Sequence, residues 1–286
     1  MKKIKSGIFI ESGYAGVTVG AMLMERGTLL VDAPLKAEDG HNWLAALRAE
    51  GAGPRRLLVN LDSHPDRTLG AQSLDCEVIT HRETARQFRR RAAIFKALKQ
   101  ESGAEWESLS GMSGLRWMTP RLVFSQGSVL HLDDGSELRL EEHPGPTPGA
   151  SWLVAPEAQV VFVGDLVTLK QPPFLANADI EAWVEGLDLL LSKEYKGYKV
   201  VAGRGGEASL ENLREMRRFL KDVESRLQRV AKHKQPGKEI EKMAPKLLEK
   251  FKVPAKLEKM YTHRLKYGLR NYFARHYQGA NKVNNF

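Results

Sequence analysis

From its start to residue 208 the chain alternates short apolar runs with polar turns. Residues 7–10, 17–24 and 28–32 read as strands, the last two joined into a hairpin by the turn Glu25-Arg26-Gly27. Residues 39–50 predict a helix with Trp43, Leu44 and Leu47 on one face and Gly51 behind its end. Strands follow at 56–60 and 77–80, with a polar loop, 61–70, between them that runs into a helix. Residues 82–100 predict a longer helix with Phe88, Ile94, Phe95 and Leu98 as its apolar positions. Further strands are expected at 121–125, 128–132, 137–142, 151–154, 160–164 and 199–202, interrupted by a helix at 179–191. Strand-rich stretches broken by helices predict sheets covered by helices, an α/β or α+β layered domain.

At Ser209 the apolar period changes. Leu210, Leu213, Met216, Phe219, Leu220, Val223, Leu227 and Val230 follow at spacings of three and four, the stripe of an amphipathic helix with Ser209 as its N-cap. Gln235-Pro236-Gly237 breaks that helix. A second is expected over 239–251, kinked or restarted at Pro245, and a third over 255–277, with the last nine residues frayed. Apolar stripes need a partner, so this extension is expected to pack on the layered domain. The expected division is 1–208 and 209–286.

Charge sharpens that division. Of 44 Lys and Arg and 35 Asp and Glu in 286 residues, residues 211–286 hold 20 basic against 8 acidic side chains, and the remainder is slightly acidic. A basic helical segment attracts nucleic acid or an acidic surface by its field, but a solvated helix face is the commoner meaning of such runs, Arg89 to Arg91 included. No apolar run reaches the length of a membrane span, and Glu11 interrupts the short N-terminal one, so no membrane association is expected. The single cysteine, Cys76, fits a reducing cytoplasm and reads as a buried inert thiol.

The candidate chemistry lies in four loops. Asp62-Ser63-His64-Pro65-Asp66-Arg67 follows one strand, Gly164-Asp165 another, Gly203-Arg204-Gly205 a third, and Gly145-Pro146-Thr147-Pro148-Gly149 leads into a fourth. Loops at strand ends are where layered folds place functional groups. In order and spacing these motifs resemble the metallo-β-lactamase-fold hydrolases over roughly residues 10–210. The resemblance implies a four-layer αββα sandwich and a C-terminal helical extension. The family's motifs read His-x-His-x-Asp-His, Gly-His-Thr-Pro-Gly, Gly-Asp and Gly-His-Gly, and supply five His and two Asp to two metal ions.

Only His64, Asp66 and Asp165 keep the expected residue type. Asp62 replaces a histidine with another possible ligand. Arg67, Pro146 and Arg204 replace histidines with residues that offer a metal no lone pair. Asp62, Asp66 and Asp165 bring three negative charges into one pocket and need compensation. The leading expectation is that Arg67 and Arg204 fill the abandoned metal positions as ion-pair partners. The protein would then need no cofactor and would be a pseudoenzyme or bind a small anionic ligand, with Arg67, Arg204, Asp62, His64 and Asp165 at the ligand site. Asp66 is the candidate catalytic residue, with a loop-orienting role as its alternative. A rival expectation keeps one divalent ion (Zn, Fe or Mn) on Asp62, His64 and Asp165, with help from Asp66 or His143, for hydrolysis of an ester, lactone or thioester. Trp106 and Trp117, in the insert 102–119, either wall the pocket or pack on their own loop. Nucleic acid is the least expected partner, because family members that cut it carry an inserted domain and an intact metal site.

Overall fold

The computed structural model describes residues 1–90, 102–110, 115–132, 134–233 and 236–278. Residues 91–100 of the expected helix, Asp133 of the expected turn, Gln235 of the expected break and all but the first of the last nine residues lie outside the described residues.

The first sheet runs in sequence order: β1 (Lys2–Lys5), β2 (Ile8–Glu11), β3 (Val19–Met24), β4 (Gly27–Val31), β5 (Arg56–Asn60), β6 (Glu77–His81) and β7 (Leu122–Phe124). The second takes β8 (Gly127–His131), β9 (Glu137–Glu142), β10 (Ser151–Ala155), β11 (Val160–Phe162), β12 (Lys199–Ala202) and β13 (Gly206–Ala208), again as sequential neighbours. Helices α1 (Ala37–Ala49), α2 (Pro65–Thr68) and α3 (Arg82–Arg90) belong to the first half, and α4 (Ile180–Leu190) to the second. The C-terminal segment forms α5 (Leu210–Val230), α6 (Pro236–Leu248) and α7 (Glu258–Tyr277).

Strand alternation sorts the apolar side chains into three cores. Leu29, Val31, Val59 and Ile79 of the first sheet meet Leu140, Leu153, Phe162 and Val201 of the second between the sheets. Leu30, Leu58 and Val78 point the other way, onto Trp43, Leu44 and Leu47 of α1. On the outer face of the second sheet, Trp152, Val154, Val161 and Val200 pack with Trp183 and Leu187 of α4, and the same core takes in Leu213, Leu220, Val223 and Leu227 of α5 and Leu265 and Leu269 of α7. The result is the expected αββα layering, with the C-terminal helices continuous with the outermost core.

Several expected elements shift. β1 and β13 were not predicted; each is short, and β1 buries only Ile4 fully. Ser209 does cap α5, exchanging hydrogen bonds with Asn212. Pro236 opens α6 as a helix start, where fixed φ and a missing N–H cost nothing. Pro245 does not restart α6, which runs through it.

Candidate functional site

The four loops meet where the strands of both sheets end. Asp32 directly follows β4, in the left-handed region at φ 55°. Asp62 and His64 follow β5, and Asp66 and Arg67 lie on the single turn of α2. Asp165 lies in the 3-10 turn after β11, and Arg204 just after β12. The pairs β4–β5 and β11–β12 are parallel, so the carboxyl ends within each pair lie together, and the contacts of Arg67 with Asp165 and of Arg204 with Asp66 bring the two pairs to one edge. All six site residues expected from the sequence, Asp62, His64, Asp66, Arg67, Asp165 and Arg204, come together here.

Two guanidinium groups thread the carboxylates. Arg67, fully buried, donates through Nη1 to Asp32 Oδ2 (3.4 Å), lies 3.5 Å from Asp62 Oδ2, and donates through Nη2 to Asp165 Oδ1. Arg204, 1% exposed, donates Nε to both oxygens of Asp165 (3.1 and 3.2 Å) and both terminal nitrogens to Asp66 (2.7 and 3.0 Å), the forked geometry that suits this pair. Asp165 is therefore shared by both arginines. Gly203 and Gly164 make the approach possible. A Cβ at Gly203 would stand 2.7 Å from Arg67 Nη1 and 2.5 Å from the Gly164 carbonyl carbon, and Gly164 itself needs φ 55°.

Asp62 Oδ1 accepts the His64 backbone N–H (2.8 Å), while His64 Nδ1 lies 3.1 Å from Asp62 Oδ2 and 3.4 Å from Asp165 Oδ2. Burial opposes ionisation of both carboxyls, yet neighbouring cations prevail: Arg67 and His64 hold Asp62 well below the usual range, and Arg204, Arg67 and His64 hold Asp165 below it. Burial likewise opposes the His64 imidazolium, but Asp62 and Asp165 raise its pKa. Asp32 behaves differently. Burial, with Asp62 and Asp165 nearby, pushes its carboxyl up to about 7 against the pull of Arg67.

Comparison with solved structures places this arrangement in a known scaffold. A metallo-β-lactamase from Pontibacter korlensis aligns at a TM-score of 0.61 and 18% identity, over 77% of this chain and 98% of its own. The DIM-1 metallo-β-lactamase, in a crystal structure of the enzyme exposed to ceftazidime, aligns at 0.61 and 16%, over 78% and 96%. The chain has the metallo-β-lactamase fold. The sec-alkylsulfatase Pisa1 from Pseudomonas sp. aligns at 0.65 and 15% identity over 99% of this chain, which spans 50% of the length of that enzyme. No protein-family profile matches the sequence, and no curated protein does.

Within this metallo-β-lactamase fold, Asp62, His64 and Asp165 form the one group of potential metal ligands among the described residues, their ligand atoms all within 4.8 Å of one another. His143, considered as a further ligand, is not part of it. Its ring stacks on Trp152 at 3.6 Å, and its Nε2 faces Glu141 at 3.1 Å. Cys76 is half-buried, and burial pushes its thiol up to about 12, so the expectation of an unreactive group fits its surroundings.

Four residues complete the site that the sequence did not single out as part of it. Asp32 is the last residue of the expected strand 28–32 and carries no motif of its own. Phe174 lies 5.0 Å from the His64 ring and under the guanidiniums of Arg204 (4.8 Å) and Arg264 (4.0 Å). Glu105 accepts from Arg264 Nη2 at 2.8 Å and lies 3.6 Å from Arg204 Nη1, so it joins the insert to α7 beside the buried cluster. Above His64 opens a cavity of about 410 Å³, walled by Trp106, Trp117 and Thr147 among others. Both tryptophans also pack, together with Leu109 and Leu115 of the insert, against Leu35 and Leu69 outside it, so they wall the pocket while anchoring the insert on the domain rather than on their own loop alone.

Proposed function

We propose that this chain is a metallo-β-lactamase-fold protein in which a lattice of buried ion pairs has replaced the two-metal centre, and that the cavity above the lattice binds a small anionic ligand. One observation carries the reading: the Arg67 guanidinium spans Asp32, Asp62 and Asp165 while Arg204 spans Asp165 and Asp66. Four carboxyls then face two permanent cations and His64, with Asp32 able to hold a proton near neutrality. Such a cluster approaches neutrality with no added ion. The donor set does not suit two metals. Two histidine positions are arginines whose donors occupy the carboxylate lone pairs, and a guanidinium beside a carboxylate repels a second cation. In this reading Arg67 and Arg204 act beneath the ligand, fixing His64 at the floor of the cavity, and Asp66 anchors Arg204.

Zinc titration followed by calorimetry tests the lattice. The wild-type protein shows no saturable uptake, and the Arg67→His, Arg204→His double variant gains it. Tight wild-type uptake with the arginines intact would defeat the proposal.

A second reading rests on the convergence of Asp62, His64 and Asp165. These three would hold one divalent ion, which supplies Lewis-acid chemistry for an ester, lactone or thioester. Turnover of generic esters that a chelator abolishes would favour it over the lattice.

A further inference from the structure

The cavity says more about its occupant than its charge. Its aromatic side is built and held. Phe88 and Trp117 stack with ring centroids 5.8 Å apart and planes 17° from parallel. Trp117 Nε1 donates to Thr68 Oγ1 at 2.8 Å, which fixes the indole in place, and Trp106 and Phe174 add further rings to the lining. At about 410 Å³ the space is of the size that holds an organic molecule rather than an inorganic ion.

Its polar side has two groups with unused capacity. Thr147 is 5% exposed, lines the cavity, and its Oγ1 has no hydrogen-bond partner among the described residues. A buried hydroxyl left this way costs stability unless something supplies the partner. Arg275, an exposed residue in the last turn of α7, also lines the cavity; its guanidinium lies over the Tyr272 ring (5.9 Å) and donates to the Ala178 carbonyl (2.8 Å), with no ion pair among the described residues. The two acidic residues in the wall are already engaged. Glu107 accepts from Ser102 N–H and Oγ and from Gly103 N–H, and Glu83 pairs with Arg86. Glu83 is balanced by Arg86 and Arg264 by Glu105, which leaves Arg275 as the lining cation with no ion pair among the described residues, beside one spare hydroxyl and an aromatic wall.

We infer that the cavity takes an aromatic monoanion, a carboxylate, sulfate or sulfonate on a planar ring system, with Thr147 and Arg275 on the oxyanion and the rings against Trp106 and Trp117. This rests on the anionic-ligand reading above and adds the ring system and the two contact residues to it. It also makes α7 part of the site: a residue of the C-terminal segment sets the ligand's charge.

The test uses the full chain and three probes: naphthalene-2-sulfonate, the uncharged naphthalene-2-sulfonamide, and inorganic sulfate. Binding is read by calorimetry and by quenching of tryptophan fluorescence. The sulfonate binds at least about tenfold more tightly than either comparison probe. Thr147→Val and Arg275→Gln each weaken it by about tenfold or more, the scale of a hydrogen bond to a charged group, with unchanged thermal unfolding and far-ultraviolet dichroism. Sulfate binding as tightly as the sulfonate overturns the aromatic assignment and leaves the anion reading standing. Sulfonamide binding as tightly as the sulfonate overturns both. Wild-type affinity in Thr147→Val and Arg275→Gln, or no binding of any probe, overturns the assignment of this cavity. Metal content measured on the same samples reports separately on the lattice.

Discussion

A carboxyl group sealed from water needs a proton or a counter-charge, and Asp32 draws on both. Its folded pKa of about 7 stands well above the ordinary value near 4. Between those values the native state holds more protons than the unfolded chain, so stability falls as pH rises from about 4 to about 7. His64, also raised, adds a loss in the same direction that begins near its ordinary value of about 6.5 and is complete above its folded one. Asp62 and Asp165 act oppositely: their contribution is present above about 4 and lost as pH falls through their lowered folded values. Denaturant unfolding across this range is expected to show greatest stability on the acid side of neutrality, and Asp32→Asn to flatten the decline between about pH 4 and 7. A variant with the wild-type slope would remove Asp32 from the account. At Arg204 the expectation is a loss. Arg204→Met leaves Asp66 without its forked partner and Asp165 with Arg67 alone, and costs about 3–5 kcal/mol in urea unfolding, part of it recovered by adding Asp66→Asn. The six motif residues were legible because they lie in short loops of recognisable order. Asp32, Glu105 and Arg264 were not, because a lone Asp after a strand or an Arg in a basic helix takes its meaning from a partner distant in sequence: 35 residues from Asp32 to Arg67 and 159 from Glu105 to Arg264.

Apolar runs bounded by turns, and helices with a one-sided apolar stripe, were the readable elements. β5, β9 and β12 fall where apolar positions and bounding turns predict them, and α5 starts at the Ser209 cap and buries its stripe from Leu213 onward, Leu210 standing exposed. β1 escaped because its lysines face outward at a sheet edge and leave a single buried Ile4 as signal. β13 escaped because three residues beginning with glycine carry almost no pattern. The same packing argument ranks substitutions along α5. Leu220, wholly buried in the core outside the second sheet, should cost about 2–5 kcal/mol as Leu220→Ala. Lys221→Ala, on the exposed face, should stay within about 0.5 kcal/mol. Thermal unfolding of the two variants checks this. Similar shifts for both would mean that α5 is not anchored by that stripe.

At the scale of the whole molecule, the fold delivers the ends of β4, β5, β11 and β12 to one edge, whatever side chains those ends carry. In this chain two of them carry arginine, and the cavity above them is completed by an insert and by the last helix. The basic character of the C-terminal segment is in part internal. Lys250 and Arg226 pair with Asp222, Lys266 with Glu241, and Arg264 with Glu105. No helix among the described residues is long and apolar enough to cross a membrane. The central claim is the proposed one, that two guanidinium groups take the place of metal ions in this site. Elemental analysis of the full chain, purified without chelator and loaded with excess zinc, iron or manganese before desalting, tests it most directly. The account predicts far less than one ion per chain for every metal. Close to one ion per chain, lost when Asp62 or Asp165 is changed to Asn, would contradict it.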